Sequence, residues 1–226
     1  LTHLLQKIDP NNQAWFEKVV KKLPVGLRED FKKQHDKQRI DYVRKLGIIF
    51  DTIYGVDIQP IAIHIAKLRF FISLVIEQQK DEHLPNFGIQ TLPNLEFKLV
   101  CANTLIGINL QQVARQLDRD GRMYSDPLNP VLTQIDDLRK DFFETENQKD
   151  KNKLKQQFEG IQITLKTTLD KALEDDKRLK TIAQFDQLTQ WQPFNDHHSA
   201  PFFDPLYMFG IKQGFDIVIG NPPYVE

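Results

Sequence analysis

Cysteine is almost missing: Cys101 is the single thiol in 226 residues. One thiol excludes an intramolecular disulfide and a zinc site built from cysteines. In its apolar setting a buried, inert thiol is expected. The six histidines, His197 and His198 included, show no i, i+4 partner carboxylate and no metal-ligand spacing, so no metal is expected. No stretch approaches the length of a membrane-spanning helix, and no signal peptide is visible. A reducing cytoplasmic setting without a membrane partner fits. Charge of one sign is lacking too: 30 Lys+Arg against 31 Asp+Glu leave −1, which makes no global case for nucleic-acid binding. Repeats and low-complexity tracts are absent. The ten glycines are scattered, with no Gly-x-Gly among them. The chain therefore contains no glycine-rich loop of the kind that lets backbone approach a cofactor closely.

What remains is an ordinary globular composition, 40% hydrophobic and 27% charged, with enough length for one or two domains. Residues 1–47 carry 11 Lys+Arg against 6 Asp+Glu. A solvated helical face explains that excess better than a nearby phosphate backbone. Residues 10–46 read as helical. Trp15, Phe16, Val19, Val20 and Leu23 recur at helical spacing, and Pro24-Val25-Gly26 breaks the run before a second helix over 27–46. Ile48 to Asp57 reads as a strand ending in a carboxylate. A helix follows from Pro60 to about Gln78, with Ile61, Ile65, Leu68, Ile72 and Val75 in a 4-3-4-3 rhythm. Leu95, Phe97 and Leu99 alternate with Glu96 and Lys98, which predicts a strand from Leu95 to Val100.

Residues 107–213 look inserted. Val131, Ile135, Leu138 and Phe142 form one helical stripe, and Leu154, Phe158, Ile161, Leu165 and Leu169 form another. The polar link between them, near Glu144 to Lys153, predicts an antiparallel helical hairpin. Residues 111–180 hold 14 basic and 14 acidic residues, a balance that favours a spacer or protein contact over a DNA clamp. Residues 191–210, rich in Pro, Phe and His, read as an irregular, tightly packed return to the core.

The most informative stretch is Phe215-Asp216-Ile217-Val218-Ile219-Gly220-Asn221-Pro222-Pro223-Tyr224. An apolar run with the β-branched content of a buried strand breaks into a proline pair, which cannot continue a ladder. The prolines fix the backbone and restrict Asn221. The Asn221 amide oxygen and the Pro222 carbonyl are then two convergent acceptors, able to grip the two hydrogens of an exocyclic amine. Tyr224 offers a flat face for a base, a contact worth roughly 1–3 kcal/mol. The plain alternative is a strand followed by a Pro-Pro turn.

These residues resemble the catalytic motif of amino-methyltransferases, which move a methyl group from S-adenosylmethionine to an amine nitrogen of adenine in DNA, of RNA bases or of a protein glutamine. Gly55-Val56-Asp57-Ile58-Gln59-Pro60 and the helix after it resemble the ribose motif of type IIG enzymes, bacterial adenine methyltransferases fused to restriction nucleases. The resemblance assigns cofactor contact to Asp57 and its neighbour Ile58. By position alone, Asp57 reads equally as a ribose ligand at a strand end or as a helix N-cap. His64 stands where that family often has an acidic side chain. Leu99 to Ile106 resembles a third motif, whose polar residue, here Asn103, reaches the cofactor adenine; the plain reading is a turn asparagine.

The resemblance covers roughly residues 48–106 and 191–226 and implies an α/β fold: a partial Rossmann-like methyltransferase sheet with a large helical insertion, mostly helical by residue count. The expected organisation is a helical segment (1–47), part of the methyltransferase core (48–106), the insertion (107–213) and the catalytic strand and loop (214–226). The implied cofactor is S-adenosylmethionine, and the implied partner is double-stranded DNA with a flipped adenine. The implied catalytic residues are Asn221, Pro222, Pro223 and Tyr224. The chain starts at Leu1 and stops two residues after Tyr224, so it reads as an excerpt, inactive by itself, whose unpaired strand edge at Phe215–Ile219 invites self-association. Protein-glutamine or RNA-base methylation and a non-catalytic helical module are the alternatives. Glu96-x-Lys98 after Asp81 faintly resembles a nuclease core, but reads better as the solvent face of a strand.

Overall fold

Apolar residues at helical spacing build most of the molecule. Its structure, a computed structural model, describes residues 1–10, 13–23, 28, 29, 32, 40–78, 80–91, 93–108, 110, 128–145, 147–175, 185–195 and 197–220. Helices α1 (Thr2–Ile8), α2 (Gln13–Lys22) and α3 (Ile40–Asp51) come first. Val19 and Leu23 pack with Tyr42, Val43, Leu46 and Ile49 in one hydrophobic cluster. Helix α2 crosses α3 closely: a Cβ built on Gly47 would lie 2.4 Å from Trp15. Arg44 is buried, and its guanidinium donates to Asp41 at 2.7 Å and to the Asp9 carbonyl at 3.0 Å, tying the α1–α2 link to α3.

Strand β1 (Gly55–Asp57), helix α4 (Pro60–Val75) and strand β2 (Leu99–Cys101) form a parallel β-α-β unit, in register Gly55–Leu99, Val56–Val100 and Asp57–Cys101. Proline is tolerated in the first turn of α4, where its missing N–H has no partner to lose. The predicted strand over 48–57 is corrected. The helix expected to end at 46 runs on to Asp51, and Thr52 and Ile53 still donate to the Ile48 carbonyl. An apolar run such as Ile48-Ile49-Phe50 suits a buried helix as well as a strand, and the cluster around Val43 and Leu46 selects the helix. The strand predicted from Leu95 is corrected in the same way. Lys98 and Leu99 donate to the Leu95 carbonyl in a helical turn, and the ladder begins only at Leu99. The residues of the helix expected over 27–46 that precede Ile40 lie, apart from 28, 29 and 32, outside the described residues.

The second cluster is built on the two predicted stripes. Helices α5 (Asn129–Glu144) and α6 (Gln148–Asp175) pack against one another. Val131, Ile135, Leu138 and Phe142 meet Phe158, Leu165 and Leu169 there. Phe97, from the turn before β2, places its ring against Phe142, Phe158, Trp191 and Phe194 at 5.6–5.8 Å, all edge-on. The helix pair and the approach to the sheet thus share one core. Residues 191–195 and 197–204 are irregular and lead into α7 (Pro205–Phe209), whose four buried residues Leu206–Phe209 complete that core. Asp204 caps α7, accepting from Tyr207 N at 2.7 Å and from Leu110 N at 2.9 Å. Gly210 ends the helix at φ +74°, where a side chain is strained. A Cβ there would also sit 2.6 Å from Asp136.

Helix α4 leaves most of its 4-3-4-3 stripe uncovered. Ile63 and Leu74 are buried, whereas Ile61, Ile65, Leu68 and Ile72 are at least half exposed. The Phe215–Ile219 run, read from the sequence as a strand with an unpaired edge, joins no ladder among the described residues, and Ile217, Val218 and Ile219 are exposed. A strand needs a partner for its backbone groups, and the segment is held by ring contacts instead, Phe215 lying 6.1 Å from Tyr54 and 6.2 Å from Phe209. Among the described residues no helix is long and apolar enough to cross a membrane.

Candidate functional site

Parallel strands end together, and here the ends are pinned. Ala102 N donates to the Asp57 carbonyl at 2.9 Å, fixing the exit of β1 against that of β2. On the far side of β2, Ala200 N donates to the Cys101 carbonyl and Asn103 N to the Ala200 carbonyl, both at 2.9 Å. The return segment therefore runs parallel to β2, with bridges Ala102–Ala200 and Gly107–Phe203. Two loops leave this edge side by side, one starting at Asp57 and the other at Asn103. The carboxyl edge of a parallel sheet is where open α/β folds take ligands.

Both polar residues do local work with half of their side chain. Asp57 is exposed, and its Oδ1 accepts from Gln59 N at 2.8 Å, shaping the entry to α4. Its Oδ2 has no partner among the described residues. The two readings of Asp57 from the sequence are therefore compatible, since one oxygen serves the turn and the other faces solvent. Asn103 repeats the pattern: Oδ1 accepts from Leu105 N at 3.0 Å, and Nδ2 has no partner among the described residues. Ile58 is more than half exposed beside them, and its carbonyl accepts from Cys101 Sγ at 3.4 Å. The Cys101 thiol is half-buried, and burial pushes its pKa up, so it is a poor nucleophile.

Other sequence readings fare variously. His64 meets His197 ring to ring at 6.2 Å, a pairing that periodicity could not reveal. Among the described residues no group of three His, Cys, Asp or Glu side chains comes together to hold a metal. A cavity of about 20 Å³ between α4, β2 and His198 has room for a single water. Glu96 and Lys98 do not form the solvent face expected of them. Glu96 is largely covered, 3.9 Å from Lys67. Lys98 is sunk against aromatic rings at the opposite, amino end of the strands, with Nζ 3.8 Å from the centre of Tyr54. The alternation that predicted a strand identified the inward residues Leu95, Phe97 and Leu99, but a turn carries its intervening side chains to places a flat strand would not. Asn221, Pro222, Pro223 and Tyr224 lie outside the described residues.

Residues 51–226 match the Eco57I restriction-modification methylase family. The chain belongs to this family. The matched span includes Asp57, Ile58, Asn103 and 221–224. A stretch of 76 residues is 42% identical to a protein of Methanocaldococcus jannaschii described as a type II restriction enzyme and methyltransferase. That stretch is 32% of this chain and 6% of the relative, so the part compared is a small piece of a much longer protein. No solved structure matches the chain.

Proposed function

We propose that this chain is part of a DNA methyltransferase that transfers a methyl group from S-adenosylmethionine to the exocyclic amine of adenine within a restriction-modification system of the type IIG kind. The observation that carries the reading is the pinned carboxyl edge of β1 and β2, where Asp57 and Asn103 stand on adjacent loops in a chain of the methylase family. The donor set suits an adenosyl group. The solvent-facing Asp57 Oδ2 can accept from a ribose hydroxyl, and the Asn103 amide can donate to a ring nitrogen. Ile58 offers an apolar face beside them. When bound, S-adenosylmethionine supplies an electrophilic methyl group.

The chemistry asked of the chain is positioning. The adenine amine lies inside the base stack, so the duplex must release the base before transfer. Tyr224 then stacks on the extruded ring. Asn221 and the Pro222 carbonyl would accept hydrogen bonds from the two amine N–H groups and orient the nitrogen for attack, the new N–C bond replacing the donor's S–C bond and one amine proton leaving to solvent, while Pro223 would keep the loop rigid. No covalent intermediate on the protein is required, and the rate comes from orientation and fixed dipoles. In this reading 48–106 and 214–226 belong to the catalytic core and 107–213 is an insertion whose helices are packed into it.

Two assays test the reading. The whole protein is expected to methylate adenine in duplex DNA and to leave release-factor glutamine and RNA unlabelled; label confined to protein or RNA overturns the choice of substrate. Asp57→Ala in the whole protein is expected to raise the Kd for S-adenosylmethionine by about tenfold to a hundredfold, one to two lost charge-assisted hydrogen bonds. We also infer that the isolated chain self-associates through the exposed Phe215–Ile219 run. Sedimentation should show mass rising with concentration, and Ile217→Lys should abolish the rise. A strict monomer at every concentration refutes this.

A further inference from the structure

At the amino end of the two strands, opposite the edge bearing Asp57 and Asn103, lies a cavity of about 310 Å³. Residues of α2, α3, the turns before both strands, α5 and α7 line it. Its walls are aromatic: Phe50 and Phe143 meet edge-on at 4.9 Å, and Tyr54 and Phe209 lie 4.9 Å apart. Its charges are Lys22, Lys98, Arg139 and Lys140 against Asp51 and Asp136. Most of these are already matched. Lys22 pairs with Asp51 at 2.8 Å, Lys140 with Asp137 at 3.2 Å, and Arg139 with Asp136. The Arg139 guanidinium also donates to the carbonyls of Leu206 and Tyr207. Lys98 differs. No described carboxylate comes within ion-pair distance of it, and its ammonium rests on Tyr54 at 3.8 Å and Phe50 at 5.6 Å.

A half-buried cation without an anion, facing a cavity walled by rings, is an incomplete ion pair. We propose that this cavity binds a small planar anion, a flat ring bearing one acidic group, with the acid on Lys98 Nζ and the ring among Phe50, Phe143 and Phe209. The lining is net positive, and the walls favour a flat apolar body over a bare inorganic ion. A carboxylate or a phosphate can supply the acid, and the ligand is distinct from the methyl donor of the opposite edge.

Lys98 faces Asp51 from α3, Arg139 and Asp136 from α5 and Lys22 from α2. Burial is the largest influence and lowers its pKa to about 7; Asp51 opposes this, while Arg139 and Lys22 add to it. Binding is therefore expected to be strongest below pH 7 and to fade above it.

Calorimetry on the 226-residue chain tests the proposal with 2-naphthoate against its neutral amide, and with AMP against adenosine. At least one anion should bind at pH 6.5, at least tenfold tighter than its neutral counterpart. Lys98→Met should remove that preference and Lys98→Arg should restore it, circular dichroism confirming that both variants fold. Whether naphthoate or AMP wins identifies the acid as carboxylate or phosphate. If neither anion binds at millimolar concentration the proposal is overturned, as it is by equal binding of anion and neutral partner, or by an anion preference that survives Lys98→Met.

Discussion

Lys98 shows how far one buried charge can tilt the whole molecule. In the folded chain burial drops its pKa from 10.5 to about 7. The unfolded chain keeps its proton up to the ordinary value, so between those limits the unfolded state binds more protons and stability rises with pH. The contribution is fully present above about pH 10.5 and is lost as pH falls toward 7. Urea midpoints should therefore climb from pH 7 to pH 9.5. Lys98→Met should flatten that climb and stabilise the chain at pH 6 by on the order of a few kcal/mol; an unaltered slope in the variant contradicts the account. Gln162 makes the complementary point about neutral groups. It is buried beside the second cluster, and the two N–H groups of its amide are shared among the Leu188 and Trp191 carbonyls and the Tyr207 hydroxyl, at 3.2, 2.9 and 2.9 Å. Gln162→Leu should cost about 1–3 kcal/mol, because the buried Trp191 carbonyl and Tyr207 hydroxyl lose their donor, while the Leu188 carbonyl keeps the Tyr207 hydroxyl. A neutral effect in denaturant unfolding would show that water reaches them. Asp57 and Asn103 were legible as residues because each follows an apolar strand and precedes a turn. Lys98 was not, since nothing in a lysine between Phe97 and Leu99 says which way a turn will carry it.

At the scale of elements, legibility followed length. The two long stripes, Val131 to Phe142 and Leu154 to Leu169, were read from spacing alone because several helical turns repeat the same face. Short apolar runs misled. Ile48-Ile49-Phe50 continues a helix, and Phe215–Ile219 pairs with nothing described, because a strand is decided by its neighbours rather than by its own sequence. Helix α4 gave its period but not its orientation. It is apolar on both sides, so the 4-3-4-3 stripe could face inward or outward, and Ile63 and Leu74 take the inside. Element packing also reverses a common rule. Glycine to alanine inside a helix ordinarily gains about 0.5–1 kcal/mol. At Gly47 the new Cβ would lie 2.4 Å from Trp15 and 3.1 Å from Val19, both on α2. Gly47→Ala should therefore destabilise by about 1–3 kcal/mol through overpacking, with Trp15 fluorescence reporting the displacement. A stabilised variant would mean that α2 can move away freely.

The whole molecule places two different surfaces at the two ends of one small parallel sheet. The carboxyl edge carries Asp57 and Asn103 on pinned loops, and the amino edge carries the aromatic cavity with Lys98. The family match takes in Asp57, Asn103 and Lys98 together with α5 and α6, and those helices share a core with the approach to β2. Helices α5 and α6 are therefore expected to unfold with the sheet in a single transition, and two separated transitions would contradict that. The central claim remains that Asn221 to Tyr224 act on an adenine amine beside a cofactor held at Asp57 and Asn103. The most direct measurement is transfer of labelled methyl from S-adenosylmethionine to duplex DNA by the whole protein, wild type against Asn221→Ala, with the product nucleoside identified by mass spectrometry. The account predicts N6-methyladenine from the wild type and a loss of at least a hundredfold in the folded variant. Activity retained by Asn221→Ala, or a methyl group found on any other base, would contradict it.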